Sequence, residues 1–144
     1  MKKIFYLLVI LVTTTVQTNA QCWQKLSAGT SFSVAIKTDG TLWAWGFNDR
    51  GQLGIGNTIN KTFPAQAGTS NDWQMVSAGH DHVLAIKTDG TLWGWGFNNN
   101  GQLGTGGFGL FTSPIQIGTD NNWQSISAGS GFSMAIKTDG TLWG

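Results

Sequence analysis

An all-β fold built from four-stranded units, in the manner of β-propeller blades, is what the sequence predicts. Three observations predict it. Trp23, Trp73 and Trp123 recur at a strict interval of 50 residues. Each copy holds two short apolar runs joined by Asp-Gly, a strong hairpin signal. Glycine (21 of 144) and tryptophan (8) are abundant while glutamate is absent, so turn formers and strand formers outweigh helix formers.

Residues 1–20 stand apart from the repeats. Lys2 and Lys3 precede an unbroken apolar run from Ile4 to Val12, and Thr13 to Ala20 then supply a polar stretch ending in small residues. That layout is expected of a cleavable export signal with Thr18 and Ala20 before the cut, so cleavage is expected after Ala20. The apolar run would rise only about 14 Å as a helix, short of the ~30 Å a membrane anchor must span. The expected destination is therefore secreted, cell-surface or periplasmic, with no stable membrane insertion once the signal is removed. Asn19, Ala20 and Gln21 before Cys22 fit a lipid-attachment site poorly. Cys22 is the only cysteine, so no internal disulfide is available.

The mature part, Gln21 to Gly144, keeps six basic residues against seven aspartates. Its charge is nearly balanced and scattered. It lacks the basic footprint that phosphate backbones demand, so nucleic acid is not an expected partner.

Aligning 23–72 with 73–122 leaves 29 of 50 positions identical without a gap. The chain then divides into repeat 1 (21–72), repeat 2 (73–122) and part of repeat 3 (123–144), about two and a half blades. Within repeat 1, Trp23 to Ala28 reads as a first strand ending at Gly29. Phe32–Thr38 and Thr41–Phe47 read as a hairpin across a two-residue Asp39-Gly40 turn. That register places Ile36 opposite Trp43, Val34 opposite Trp45 and Phe32 opposite Phe47. A large aromatic face would then cover the small Ala/Gly face of the next copy. Asn48 to Gly51 reads as a turn, Gln52-Leu53-Gly54 as a tight buried bend, and a variable loop runs to Pro64. A short outer strand near Ala65–Ala67 completes the unit, proline suiting an edge strand.

The run Gly79-His80-Asp81-His82, Leu84-Ala85-Ile86, Asp89-Gly90, Leu92-Trp93, Trp95-Gly96, Asn98 and Gly101-Gln102-Leu103-Gly104-Thr105-Gly106 resembles the RCC1 (regulator of chromosome condensation 1) repeat signature. The first copy carries most of the same string. It departs at Phe32, as the third does at Phe132, where the family commonly has the histidine found at His82. The resemblance covers 23–144 and implies a closed propeller, usually of seven blades. With the third copy ending 22 residues in, inside a strand, the sequence is expected to be a fragment of a longer protein. Inside eukaryotic cells part of the family acts in guanine-nucleotide exchange on a small GTPase or associates with chromatin. The export signal and balanced charge speak against that role here.

Few residues invite chemistry. Asp39, Asp89 and Asp139 recur, but each opens an Asp-Gly turn and is explained by backbone geometry. His80 and His82 would share a face on a strand and could approach one metal ion, yet no third ligand is evident, so His82 reads as structural. The glycines lack the lysine and the strand-to-helix context of a phosphate loop. The tryptophans read as blade packing rather than sugar platforms. Asn60-Lys61-Thr62 matches a glycosylation sequon. No catalytic residue, cofactor or metal is expected.

The copies differ most in their connections. Thr30-Ser31 becomes His80-Asp81, Asp49-Arg50 becomes Asn99-Asn100, and Ile55–Lys61 becomes Thr105–Phe111. A rigid frame with variable loops presents binding surfaces. Asp49, Arg50, His80, Asp81, Asn99, Asn100, Phe108, Leu110 and Phe111 are the candidate contacts for an unidentified protein partner. The expected function is non-catalytic binding or scaffolding. The alternatives are the nucleotide-exchange or chromatin role, or the repeat region of a larger secreted enzyme or adhesin.

Overall fold

The computed structural model describes residues 22–144. The expected export signal, 1–20, lies outside the described residues. Among the described residues there are eleven strands and no helix, in the order β1 (Trp23–Ala28), β2 (Phe32–Lys37), β3 (Leu42–Gly46), β4 (Lys61–Gln66), β5 (Trp73–Ala78), β6 (His82–Lys87), β7 (Leu92–Phe97), β8 (Leu110–Gln116), β9 (Trp123–Ala128), β10 (Ser133–Lys137) and β11 (Leu142–Trp143). They form three antiparallel meanders, β1-β2-β3-β4, β5-β6-β7-β8 and β9-β10-β11. The fold is all-β, and the sheets are propeller blades.

The hairpin register differs by one residue from the expected one. Ile36 pairs with Leu42, Val34 with Ala44 and Phe32 with Gly46, while Trp43 faces Ala35 and Trp45 faces Ser33. The same correction holds in the second copy, where His82 faces Gly96 rather than Phe97. The cause lies in the turn. A type I′ turn needs a positive φ at the aspartate, and among the described residues only glycines have one. Instead Gly40 N–H donates to Lys37 O at 2.9 Å and Lys37 N–H to Thr41 O at 3.0 Å, leaving three residues in the connection. Gly40 takes the left-handed position (φ 79°) that a three-residue hairpin with a bulge requires.

The shift redistributes the side chains. One face of the first sheet is aliphatic (Val34, Ile36, Leu42, Ala44), and the other carries Ala35, Trp43 and Trp45 with Lys37. Each aliphatic face is then covered by the tryptophan face of the following sheet, the reverse of the expected arrangement. Val34, Ile36, Leu42 and Ala44 are fully buried against Trp73, Val83, Ala85 and Trp95. Leu84, Ile86 and Leu92 meet Ala135, Trp123 and Ile126 in a second core.

Polar bonds reinforce this stacking. Ser27 Oγ accepts from Ala78 N–H and Ser77 Oγ from Ala128 N–H, both at 3.0 Å. Gly56 N–H donates to Thr112 O at 2.8 Å between the outer parts of neighbouring sheets.

The outer strand of the first copy begins earlier than expected, at Lys61 rather than near Ala65, and its counterpart in the second begins at Leu110. Gly46 pairs with Lys61 and Gly96 with Phe111 across a register shift that skips Trp45 or Trp95. Proline is accommodated because an edge strand leaves one row of N–H groups without a ladder partner.

Candidate functional site

In an up-and-down meander, successive connections alternate between the two ends of the sheet. The β1–β2 and β3–β4 connections therefore share one end, with β5–β6 and β7–β8 beside them, and the Asp-Gly turns occupy the other. Asp49, Arg50, His80, Asp81, Asn99, Asn100 and Phe108 all fall in connections at the first end. Leu110 and Phe111, expected in a loop, belong to β8. Leu110 is half-exposed at the strand's start, whereas Phe111 is partly buried and packs against both cores.

Buried polar side chains hold this end in shape. Asn98 is fully buried. Its Oδ1 accepts from Leu103 N–H at 2.8 Å, and its Nδ2 donates to Gly107 O at 2.7 Å and Thr105 Oγ1 at 2.9 Å. Asn48 does the same work in the first copy, accepting from Leu53 N–H and donating to Asn57 O and Ile59 O. Gln52 and Gln102 accept from the N–H groups of Arg50 and Asn100. A buried amide satisfied on both its oxygen and its nitrogen fixes a loop that has no ladder of its own. Asn98 and Gln102 figured in the sequence only as part of a signature. Their recurrence as polar residues inside an otherwise apolar string was the available sign.

On this base the variable side chains project. Asp49 and Asn99 are exposed, and Phe108 is 77% exposed. The Arg50 guanidinium lies 4.8 Å from the Phe97 ring centroid, tying the first loop to the second sheet. His80 Nδ1 sits 2.9 Å from Asp81 Oδ2 at the surface. His82 has different surroundings: its ring is fully buried, and Nε2 lies 2.9 Å from Ser133 Oγ of the third sheet. Burial pushes its pKa down to about 4, with Asp81 opposing the shift. Among the described residues no three His, Cys, Asp or Glu side chains are grouped to hold a metal ion.

At the opposite end each turn aspartate is spent on its own turn. Asp39 Oδ1 accepts from Thr41 Oγ1 at 2.6 Å and from Thr41 N–H at 3.0 Å, and Asp89 and Asp139 repeat this with Thr91 and Thr141. The threonine hydroxyl is the first cause of a carboxyl pKa below its usual value in each. These groups stay ionised and hydrogen-bonded, a poor arrangement for proton transfer. The lysine preceding each turn lies between two indoles, buried at Lys37 and Lys137 and partly buried at Lys87. Lys37 Nζ lies 3.7 Å from the Trp43 ring centroid and 5.2 Å from that of Trp23. Lys87 and Lys137 repeat the clasp and also meet Asp72 and Asp120.

Comparison with known proteins accords with this architecture. The family described as Regulator of chromosome condensation (RCC1) repeat matches residues 39–86 and 89–136, and a second form of the same description matches 23–52. The chain is similar to the ultraviolet-B receptor UVR8 of Arabidopsis thaliana, 38% identical over 48 residues, which is 33% of this chain and 11% of that protein. It is also similar to the human X-linked retinitis pigmentosa GTPase regulator, 44% identical over 43 residues, covering 30% and 4%. Human WBSCR16 shares the fold, with a TM-score of 0.78 at 21% identity over 89% of this chain and 34% of that one. Yeast RCC1 (Prp20), solved with Kap60, gives a TM-score of 0.72 at 27% identity over 85% and 29%. The chain thus spans about a third of these solved structures and much less of the curated relatives.

Proposed function

The chain belongs to the RCC1-repeat family, and from that premise we propose that it is a non-catalytic protein-binding or scaffolding module that works through the variable connections at one end of its blades. One observation carries this reading. The positions at which the copies disagree, Asp49-Arg50 against Asn99-Asn100 and Thr30-Ser31 against His80-Asp81, gather at a single end, over loops clamped by Asn48 and Asn98. Surface diversity on a rigid base is what a recognition surface needs, because a preformed loop loses little entropy on binding. We further propose that residues 1–20 direct export and that the partner is extracellular.

The test is affinity capture from the extracellular fraction of the producing cell. A bait with Asp49, Arg50, His80, Asp81, Asn99 and Asn100 replaced by alanine should lose its partner. A bait altered at exposed Gln24, Gln74 and Gln124 should keep it. Capture that survives the first set and fails with the second would refute the assignment. Recovery of a small GTPase or of histones from the intracellular fraction alone would favour the exchange or chromatin reading. The solved yeast protein Prp20p is described with its binding properties to Gsp1p and histones.

A further inference from the structure

The β3–β4 and β7–β8 connections open with the same turn. Gly51 N–H donates to Asn48 O at 3.0 Å and Gly101 N–H to Asn98 O at 3.2 Å, with both glycines left-handed (φ 70° and 76°). The residue before the glycine differs, Arg50 in the first copy and Asn100 in the second. Asn100 is exposed, and its main-chain N–H donates to Gln102 Oε1. Among the described residues no hydrogen bond holds its carboxamide. That group lies beside the third sheet, since a Cβ on Gly131 would come 3.8 Å from Asn100 Nδ2.

An asparagine or aspartate followed by glycine can close on itself, because no side chain on the glycine blocks the approach of its nitrogen to Cγ. Four steps of this kind occur: Asn100-Gly101, Asp39-Gly40, Asp89-Gly90 and Asp139-Gly140. The fold restrains the three aspartates. Each carboxylate accepts from the hydroxyl and the N–H of the threonine two residues on. With their pKa values held below the usual one, fewer than about one carboxyl in a thousand is protonated at pH 7. An ionised carboxylate repels a nucleophile and offers no good leaving group. The glycine nitrogens of those three steps are also held more closely, each at 2.9 Å from the carbonyl of the preceding lysine.

We propose that Asn100-Gly101 is a self-modification site at which the folded chain deamidates. The Gly101 nitrogen gives its proton to solvent base and attacks Asn100 Cγ. The new C–N bond closes a succinimide ring while the Cγ–Nδ2 bond breaks and ammonia leaves. Water then opens the ring at either carbonyl, giving aspartate, or isoaspartate with an added methylene in the main chain. Solvent supplies the base and the water, and nothing is oxidised or reduced. Either product sets a carboxylate where a neutral amide stood, at the end that carries Arg50 and Asp81. Isoaspartate also lengthens the turn that Asn98 and Gln102 clamp. The site stands on the turn itself and does not rest on the proposed role of the connections.

The test incubates the folded 144-residue chain in mildly alkaline buffer, with a parallel sample unfolded in guanidinium chloride, and locates new acidic and isoaspartyl residues by fragment mass spectrometry. In the folded chain conversion should be confined to position 100 and should release one equivalent of ammonia. It should run at least about tenfold faster than isomerisation at any Asp-Gly step, whose carboxylates are ionised. The rate should rise with pH, since the attacking nitrogen must lose its proton. Asn100→Gln, whose longer side chain closes a less favourable ring, should abolish the release of ammonia. Conversion at position 100 in the unfolded sample alone, or in neither sample, would overturn the proposal. So would conversion led by Asn57, Asn99 or another asparagine, or an equal rate at an Asp-Gly step of the folded chain.

Discussion

The indole N–H of Trp95 donates to the main-chain carbonyl of Gln52 at 3.0 Å, across the boundary between two sheets, with the ring lying over Gly54. Gly54 and Gly68 have the same left-handed backbone, φ 69° in both, but only Gly54 is crowded. Gly68→Ala should therefore cost the conformational strain alone, about 1 kcal/mol. Gly54→Ala should add displacement of the Trp95 ring and reach about 3 kcal/mol. Urea denaturation of the two variants measures the difference.

His82 gives the second prediction. Its folded pKa of about 4 lies below the ordinary 6.5, so the unfolded chain binds more protons between those values. Stability should fall as pH drops from 6.5 towards 4, by about 2 kcal/mol between pH 7 and pH 5. His82→Phe, the residue type found at Phe32 and Phe132, should flatten this dependence, with denaturation midpoints at pH 7 and 5 differing far less than in the parent.

A third prediction concerns the lysine clasp. Lys87 Nζ lies within 5 Å of the Trp73 and Trp93 ring centroids and 3.1 Å from Asp72 Oδ1. Lys87→Met keeps the stem and removes the charge, and should cost about 1–2 kcal/mol. Exposed Lys25, changed in the same way, should cost less than about 0.5 kcal/mol. Thermal unfolding of both variants decides it.

The loop clamp supplies a fourth. Asn98→Ala leaves the N–H of Leu103 and the carbonyl of Gly107 without their buried partner. A loss of about 2–3 kcal/mol is expected. Amide exchange should accelerate over residues 99–109, while exposed Asn99→Ala changes neither.

Much of this architecture is legible in the sequence. The period implies equivalent units, and the strand read at Trp23–Ala28 has the same bounds in the structure. The hairpin was legible, but its register was not. Asp39-Gly40 suits a two-residue turn as well as the end of a three-residue one, and the choice rests on bonds between Lys37 and Thr41. That one-residue difference moved every tryptophan of the hairpin to the other face. Phe111 was legible as a point of divergence, yet whether it faced solvent or core depended on where β8 began. The end shared by Arg50, Asp81 and Asn100 followed only from the strand order.

Because the front of every sheet is aliphatic and its back aromatic, the units nest in one direction, like identical cups. Any cup fits inside any other, so whole units can be gained or lost by the gene without new contacts having to evolve. A single-residue slip inside a hairpin has no such licence, since it turns that cup inside out and spoils both of its neighbours. Divergence in this lineage should therefore run in steps of about fifty residues and in substitutions at the rims, with the spacing from each Trp to the next Asp-Gly held constant.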